Sequence, residues 1–418
     1  MEFSRPRGTR DFLPDDMERR RIVESRMRGT FESYGYREIA TPTFEHLELF
    51  IERSGEGIKK ELYNFKDKGD RDVTLRPELT APVMRFYVSD MQRMPKPIKL
   101  YYFGNCFRYE EPQSGRYREF WQFGCELLGT DNSEGEAEII GLAMNAIRAA
   151  GSKHADPRIS HLGVLRKMFA DDGVPHEEQR TLMRLIDKMD KVGEETVRTE
   201  LEKYGEGFAV KVLDLVALSG GVETLDRAEA LSGAKDAVSK LREIGHYLEF
   251  YGVKPTFDFS VARGLDYYTG MVFEIYNDML GAEKQVCGGG TYALAELFGG
   301  QPVSSTGFAI GFDRILVALE KEEALPELKK GCVFVVPIEE KRRSKAMEIV
   351  AKLRASGIKA DVDLMRRGLK SLKYADVIGA SKALIIGDEI EQGKITVKDL
   401  KTGEQKQVEE AQIAEYVK

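Results

Sequence analysis

The stretch from Phe107 to Glu126, FRYEEPQSGRYREFWQFGCE, constrains this chain more than any other. At the period of two that a strand imposes, Arg118, Phe120, Gln122, Gly124 and Glu126 share one face. Trp121, Phe123, Cys125 and Leu127 share the other, which is an ordinary core face. The first face sets out a cation, a ring, an amide, a gap and a carboxylate. Solvated hairpins seldom place a ring, a glycine and an amide between like-facing charges, so the row reads as the lining of a pocket. Arg108 and Glu110 end the strand before it, and Pro112-Gln113-Ser114-Gly115 turns the chain between the two. Two strands joined by a loop thus bring three arginines and two buried polar groups to one place.

A chain of 418 residues exceeds what one core organises and implies two or three domains. Its net charge of −7 excludes a global basic field for nucleic acid, so any RNA contact must use local patches, and DNA is not expected. Cys106, Cys125, Cys287 and Cys332 lie far apart without a CxxC pair, which fits reduced thiols in a cytoplasmic protein and argues against a disulfide framework or zinc site. No apolar run approaches the ~20 residues of a membrane span, and the charged N-terminus has no signal-peptide pattern.

Further motifs follow in order. Ser4 to Pro14 is irregular and basic and carries Arg7-Gly8-Thr9-Arg10-Asp11. Asp15 can cap a helix running to about Tyr34, with Ile22, Val23, Met27 and Phe31 at helical spacing. Residues 36–45 read as a strand into Pro42. Arg76-Pro77-Glu78-Leu79-Thr80 reads both as a helix start, with Glu78 favourable to the dipole, and as a pair of ligands, Glu78 and Thr80, facing a cleft. Asn132 or Ser133 caps the next helix. From Met168 to Tyr251 amphipathic helices dominate. Asp258 to Gly270 contains Arg263-Gly264-Leu265-Asp266-Tyr267-Tyr268, and Cys287 to Tyr292 contains three glycines that let backbone approach a ligand. At Gly307 to Leu316 a strand passes into a helix whose start holds Arg314. After a linker near residues 324–330, an α/β pattern fills 331–418 and ends in a hairpin across Thr402-Gly403.

These motifs resemble the histidyl-tRNA synthetases of the class IIa aminoacyl-tRNA synthetases, and the resemblance covers nearly the whole chain. Residues 34–50 resemble motif 1, 98–128 motif 2, 307–318 motif 3, and 258–268 and 287–292 the two histidine-specific motifs. The resemblance implies an α+β catalytic domain over 1–325, with an antiparallel sheet flanked by helices and a helical insertion at 168–252 placed over the tRNA acceptor arm. It also implies a C-terminal α/β anticodon-binding domain over 331–418, and a homodimer through motif 1. One departure stands out: the family's Gly-Gly-Arg-Tyr-Asp becomes a string with Thr291 and Ala293, positions to which no role is given.

The implied activity is ATP-dependent activation of L-histidine, followed by transfer to tRNA(His). The implied cofactors are ATP and Mg²⁺ carried on its phosphates, with no protein metal site. By the same resemblance Arg108 holds the α-phosphate, Arg314 the γ-phosphate, and Arg263 bridges the substrate carboxylate and the α-phosphate, a task suited to a guanidinium fork. Phe120 stacks on adenine with Glu110 near its amino group. Arg116 and Arg118 meet phosphate or the acceptor stem. Glu126 and Tyr268 recognise the imidazole, Glu78, Leu79, Thr80 and Gln122 hold the amino acid beside them, and Tyr267 walls the pocket. Residues 331–418 carry 17 Lys and Arg against 14 Asp and Glu, +3 in a chain of −7. Arg366, Arg367, Lys370 and Lys373 are therefore RNA-backbone candidates, with a solvated helix face as the equal alternative. A non-catalytic, histidine-sensing regulatory subunit of ATP phosphoribosyltransferase is the competing reading. That paralogue has eroded motif arginines and lacks the C-terminal domain.

Overall fold

In a computed structural model, residues 3–111, 115–262, 267–281, 284–328 and 331–417 are described. The chain divides into two compact units, Met1–Pro326 and Glu327–Lys418.

A nine-stranded sheet organises the first unit. Its spatial order is Arg37–Glu38, Ile98–Phe107, Glu119–Leu128, Ser305–Gly311, Gln285–Tyr292, Tyr268–Asn277, Ala155–His161, Thr256–Asp258 and Ser219–Gly220. The middle strands are antiparallel. The second strand pairs with Arg37–Glu38 in parallel, as does Ala155–His161 with Thr256–Asp258, so the sheet is mixed at its margins. The strand expected over 36–45 is broken. Arg37–Glu38 joins the large sheet, while Phe44–His46, beyond Pro42, joins a separate three-stranded sheet with Asp72–Leu75 and Asn64–Lys66. Proline lacks the N–H that an uninterrupted strand would need at this point. The paired strands of the central hairpin stop at Phe107 and restart at Glu119, so Arg108 and Glu110 lie just beyond the first strand's end.

Helices cover one face of this sheet. Val23, Met27 and Phe31 of Pro14–Ser33 are fully buried, and the Phe31 ring stacks on Phe123 at 5.5 Å and on Tyr101 at 5.2 Å. Burying each such ring removes roughly 2–3 kcal/mol of exposed apolar surface from water. Asp15 does not cap this helix. Pro14 begins it, and the Asp16 carboxylate accepts the Leu13 N–H at 3.2 Å. Proline needs no acceptor for a missing N–H, so the helix starts two residues early. The helix Ser133–Ala150 is capped by Asn132, whose side chain accepts from the Gly135 N–H.

The helices between Leu162 and Phe250 do not form an isolated body. Their apolar residues belong to the same continuous core as the sheet, and Lys235–Phe250 packs along Ser133–Ala150. Ser219–Gly220, between two of those helices, supplies the last strand of the sheet. Among the described residues no helix is long and apolar enough to cross a membrane.

The second unit holds a five-stranded sheet in the order Ala360–Val362, Val333–Pro337, Lys382–Ile386, Lys394–Asp399 and Gln405–Glu409. Its first three strands are parallel and the hairpin adds two antiparallel ones. Val333 and Val335 face a core with Ile349 and Leu353, while Phe334 and Val336 face Ala375 on the other side. A strand buried on both faces reads as a continuous apolar run, which Val333 to Val336 is.

Close packing at the sheet centre makes a stability prediction. A Cβ built at Gly289 would lie 2.6 Å from Phe308 Cβ and 2.7 Å from the Phe273 ring, and would overlap the Gly307 carbonyl. Gly289→Ala is expected to cost ~1–3 kcal/mol through overpacking, read as a lower urea midpoint at unchanged m-value. A wild-type midpoint would contradict the packing described.

Candidate active site

The other face of the large sheet floors a cleft of about 340 Å³. Arg108, Arg314, Glu110 and Arg116 line it beside Phe120 and Gln122. Glu78, Thr80, Tyr267 and Tyr268 also border it. The structure thus gathers ten of the predicted site residues from four separated stretches of sequence. Leu79 is apart from them: its side chain is buried in the hydrophobic core. Arg263 lies outside the described residues.

Glu126, only 1% exposed, does not itself line the cleft; it lies beside Gly307 and is hydrogen-bonded by Tyr292, both of which do. Its neighbours across the sheet are Leu100 and Gly307. A Cβ at Gly307 would collide with its carboxylate, and one at Gly124 would collide with the Tyr102 ring. The absent side chains leave room for Tyr102 O–H to donate to Oε1 at 3.0 Å and Tyr292 O–H to Oε2 at 2.6 Å. Burial pushes the Glu126 carboxyl up to about 7, against the pull of the two tyrosine hydroxyls, which favour the charged form. Both tyrosines are raised well above their ordinary value by burial and by that carboxylate.

The arginines are tethered rather than loose. Arg108 Nε donates to the Pro77 carbonyl at 2.9 Å, and its guanidinium lies 5.0 Å from the Phe120 ring centre. Arg314 Nη1 donates to the Gln285 carbonyl at 2.6 Å. A carbonyl orients a guanidinium without cancelling its charge. Arg116 instead forms an ion pair with Glu110, and Arg118 Nε donates to the Glu110 carbonyl at 3.0 Å. Glu78 caps the helix Thr80–Phe86: Oε2 accepts the Thr80 N–H at 2.6 Å and Oε1 the Ala81 N–H at 3.1 Å. The helix-start reading therefore holds at the same residue that borders the cleft. Gln122 Oε1 lies 3.3 Å from Cys106 Sγ, a buried thiol pushed up to about 12 by desolvation.

Four residues here escaped the sequence reading. Tyr102 holds Glu126 from the adjacent strand and Tyr292 from the strand two places away. Arg166 donates to the carbonyls of Tyr268 and Thr269, each at 2.7 Å, and fixes the backbone beneath the Tyr267–Tyr268 pair. Asp313, next to Arg314, lines the cleft and accepts the Trp121 N–H at 2.7 Å. Tyr292 stood inside a recognised glycine-rich string and was the one open to inference. Thr291 points the opposite way, to the helical face. Its hydroxyl donates to buried Glu136 at 2.5 Å, and Lys240 Nζ is 3.1 Å from the same oxygen.

The arrangement is two-tiered. An outer cationic cleft with an aromatic wall suits an anionic nucleotide, while an inner carboxylate framed by hydroxyls suits a small ligand that donates N–H. Comparison with known proteins agrees. A histidyl-tRNA synthetase family model matches residues 8–315, and an anticodon binding domain model matches 332–418. A histidine–tRNA ligase of Archaeoglobus fulgidus is 47% identical over 415 residues, covering 99% of each chain. Among solved structures, a histidyl-tRNA synthetase from Nostoc sp. superposes with a TM-score of 0.84 at 26% identity, covering 100% of this chain and 99% of that one. The apo enzyme from S. aureus superposes at 0.75 with 32% identity, covering 100% of both.

The raised Glu126 carboxyl has a pH signature. Its folded value, about 7, lies above the ordinary 4.5, so between them the folded chain binds the extra proton. This group's contribution is complete below about pH 4.5 and is lost as pH rises through 7. Glu126→Gln removes that term, so the melting temperature of the variant is expected to gain on wild type between pH 5 and pH 8. A constant difference across that range would place the carboxylate in a charged state throughout.

Proposed function

The chain belongs to the histidyl-tRNA synthetase family, and from that premise we propose how its cleft works as a histidine–tRNA ligase. The histidine carboxylate attacks the ATP α-phosphate, giving histidyl-adenylate and pyrophosphate. A terminal ribose hydroxyl of tRNA(His) then attacks the activated carbonyl, and AMP leaves. The observation that carries this reading is the pair of carbonyl-tethered guanidiniums, Arg108 and Arg314, bordering one cleft above the buried Glu126 carboxylate.

The nucleophile in the first step is already an anion, so the protein's task is to bring two anions together and stabilise the phosphoryl oxygens. Arg108 serves the α-phosphate and Arg314 the γ-phosphate. Arg263 is assigned to bridge carboxylate and α-phosphate on sequence grounds alone. Phe120 offers a face to adenine, with the Glu110–Arg116 pair beside it. Mg²⁺ would be carried on the polyphosphate as part of the substrate and would supply positive charge there. Among the described residues the carboxylates bordering the cleft, Glu78, Glu110 and Asp313, are each engaged by N–H groups or guanidiniums.

The inner tier serves the amino acid. Glu126 accepts one imidazole N–H and Tyr268 meets the other nitrogen, while Tyr267 packs alongside. Glu78, Thr80 and Gln122 take the α-amino end, with the Leu79 backbone between the first two. A site built of paired polar groups rejects analogues that leave those groups unpaired. For the second step, the insertion (residues 168–252) covers the acceptor arm and residues 331–418 read the anticodon, with Arg366, Arg367, Lys370 and Lys373 toward the backbone. The enzyme acts in the cytoplasm as a homodimer through the motif 1 region, where Phe44 is 57% exposed and Phe65, on the same small sheet, 48% exposed. The regulatory-subunit alternative is disfavoured by the C-terminal domain match and by the full-length similarity to ligases.

ATP–pyrophosphate exchange with each standard amino acid in turn is expected to respond to histidine alone. Exchange with another amino acid, or with none, would overturn the reading. Glu126→Ala should lower histidine-dependent exchange ~10²-fold or more, as expected for losing a charged hydrogen-bond partner. Wild-type exchange in that variant would remove Glu126 from the site. Arg263→His is expected to abolish exchange while leaving ATP binding measurable by calorimetry, and loss of both in a folded protein would make Arg263 a general ATP ligand.

A further inference from the structure

The Arg7-Gly8-Thr9-Arg10-Asp11 string near the N-terminus has no part in the cleft as described, yet it lies across the base of the loop that carries Arg116 and Arg118. Three contacts tie the two segments. Arg118 N–H donates to the Gly8 carbonyl at 2.9 Å. Arg7 Nη2 meets the Glu111 carboxylate at 2.9 Å on the surface. The Arg10 guanidinium lies 3.4 Å from the centre of the Tyr117 ring, a stacked cation–π geometry. Gly8 adopts φ +84°, and a Cβ there would come within 2.7 Å of the Arg118 side chain. The close approach therefore requires glycine.

Arg10 also reaches the other side of the cleft. Its Nη2 donates to Asp313 Oδ1 at 2.5 Å, and Arg20 Nη1 donates to the same oxygen at 2.7 Å. The second oxygen, Oδ2, accepts the Trp121 N–H at 2.7 Å. Asp313 is 2% exposed and directly precedes Arg314 at the start of the helix Phe312–Lys321. One carboxylate thus joins the N-terminal segment, the first helix, the motif 2 strand and the motif 3 helix. Both Tyr117 and Asp313 border the cleft, whereas Arg10 does not.

We propose that residues 7–11 act as a strap over the motif 2 loop, and that Arg10 is a positioning residue for the nucleotide. Its guanidinium fork sets Tyr117 on one side and holds Asp313 on the other, so that Arg116 and Arg314 are presented together. It also cancels charge on a carboxylate that would otherwise repel the incoming polyphosphate, a repulsion strengthened by burial. A surface pair such as Arg7–Glu111 contributes little by comparison. This inference rests on the reading of the cleft as an ATP site.

The test is ATP–pyrophosphate exchange, with thermal unfolding in parallel, for Arg10→Gln, Arg10→Lys and Arg108→Ala. In Arg10→Gln, KM for ATP is expected to rise about tenfold, as for loss of a charge-assisted hydrogen bond, with KM for histidine within twofold of wild type. Arg10→Lys keeps a charge against Asp313 but cannot stack a planar fork on Tyr117, so it should fall between the two and serves as the probe if the glutamine variant does not fold. Unchanged ATP kinetics overturns the strap, as does an equal rise in both KM values that follows a fall in melting temperature. Arg108→Ala separates the two levels. If it exchanges like wild type, the ATP reading itself fails. If it is inactive while both Arg10 variants match wild type, only the strap is overturned.

Discussion

A carboxylate in the middle of a sheet is the constraint on which the rest of this structure turns. Glu126 is almost wholly removed from water and must find its partners within the protein. Two tyrosine hydroxyls, from the adjacent strand and from a strand two places away, meet its two oxygens. Room for them comes from Gly124 and Gly307, where any side chain would occupy the same space. The strand order follows the same need, because the Tyr292 strand must lie one strand beyond Gly307 for its hydroxyl to reach across. Even so supported, the carboxyl is pushed up to about 7 by burial.

Above that floor the arginines follow a different logic. A flexible cation facing a polyanion loses rotamer freedom when it binds. Arg108 and Arg314 are already held by backbone carbonyls, which set direction and leave the charge in place. Among the described residues the acidic groups bordering the cleft are engaged: Glu110 by Arg116, Asp313 by two arginines and a backbone N–H, Glu78 by a helix start. A chain of net −7 thus presents a cleft whose described carboxylates are each engaged.

Much of this was legible in the residues. Period-two alternation put Gln122, Gly124 and Glu126 on one face and Phe123 and Cys125 on the other, and the paired strands keep that division. The composition of the row mattered as much as its spacing, since the glycine gap turned out to be where the Tyr102 ring lies. Terminal residues were less legible. Asp15 yielded to Pro14 and Asp16 because capping depends on local geometry within a single turn. The helical stretch over 168–252 read as an insertion from its texture; its apolar face belongs to the same core and Ser219–Gly220 extends the same sheet. Periodicity reports that a helix has a buried side and not what that side is buried against. Thr291 stood unexplained in the sequence because its neighbours, Glu136 and Lys240, sit on helices far away along the chain.

By itself the sequence determined the paired strands of the central hairpin, their two faces, and the α/β character of residues 331–418. Those depend on side-chain period and on residue types that act locally. What only the tertiary structure decided is how the charges are balanced. Tyr102 and Tyr292 close on Glu126, Arg166 braces the Tyr268 backbone, and Arg10 and Arg20 converge on Asp313 across about three hundred residues of chain. Hydrogen bonds fall away within a fraction of an ångström of misplacement, so such partners are fixed by three-dimensional packing, and nothing in linear spacing records them.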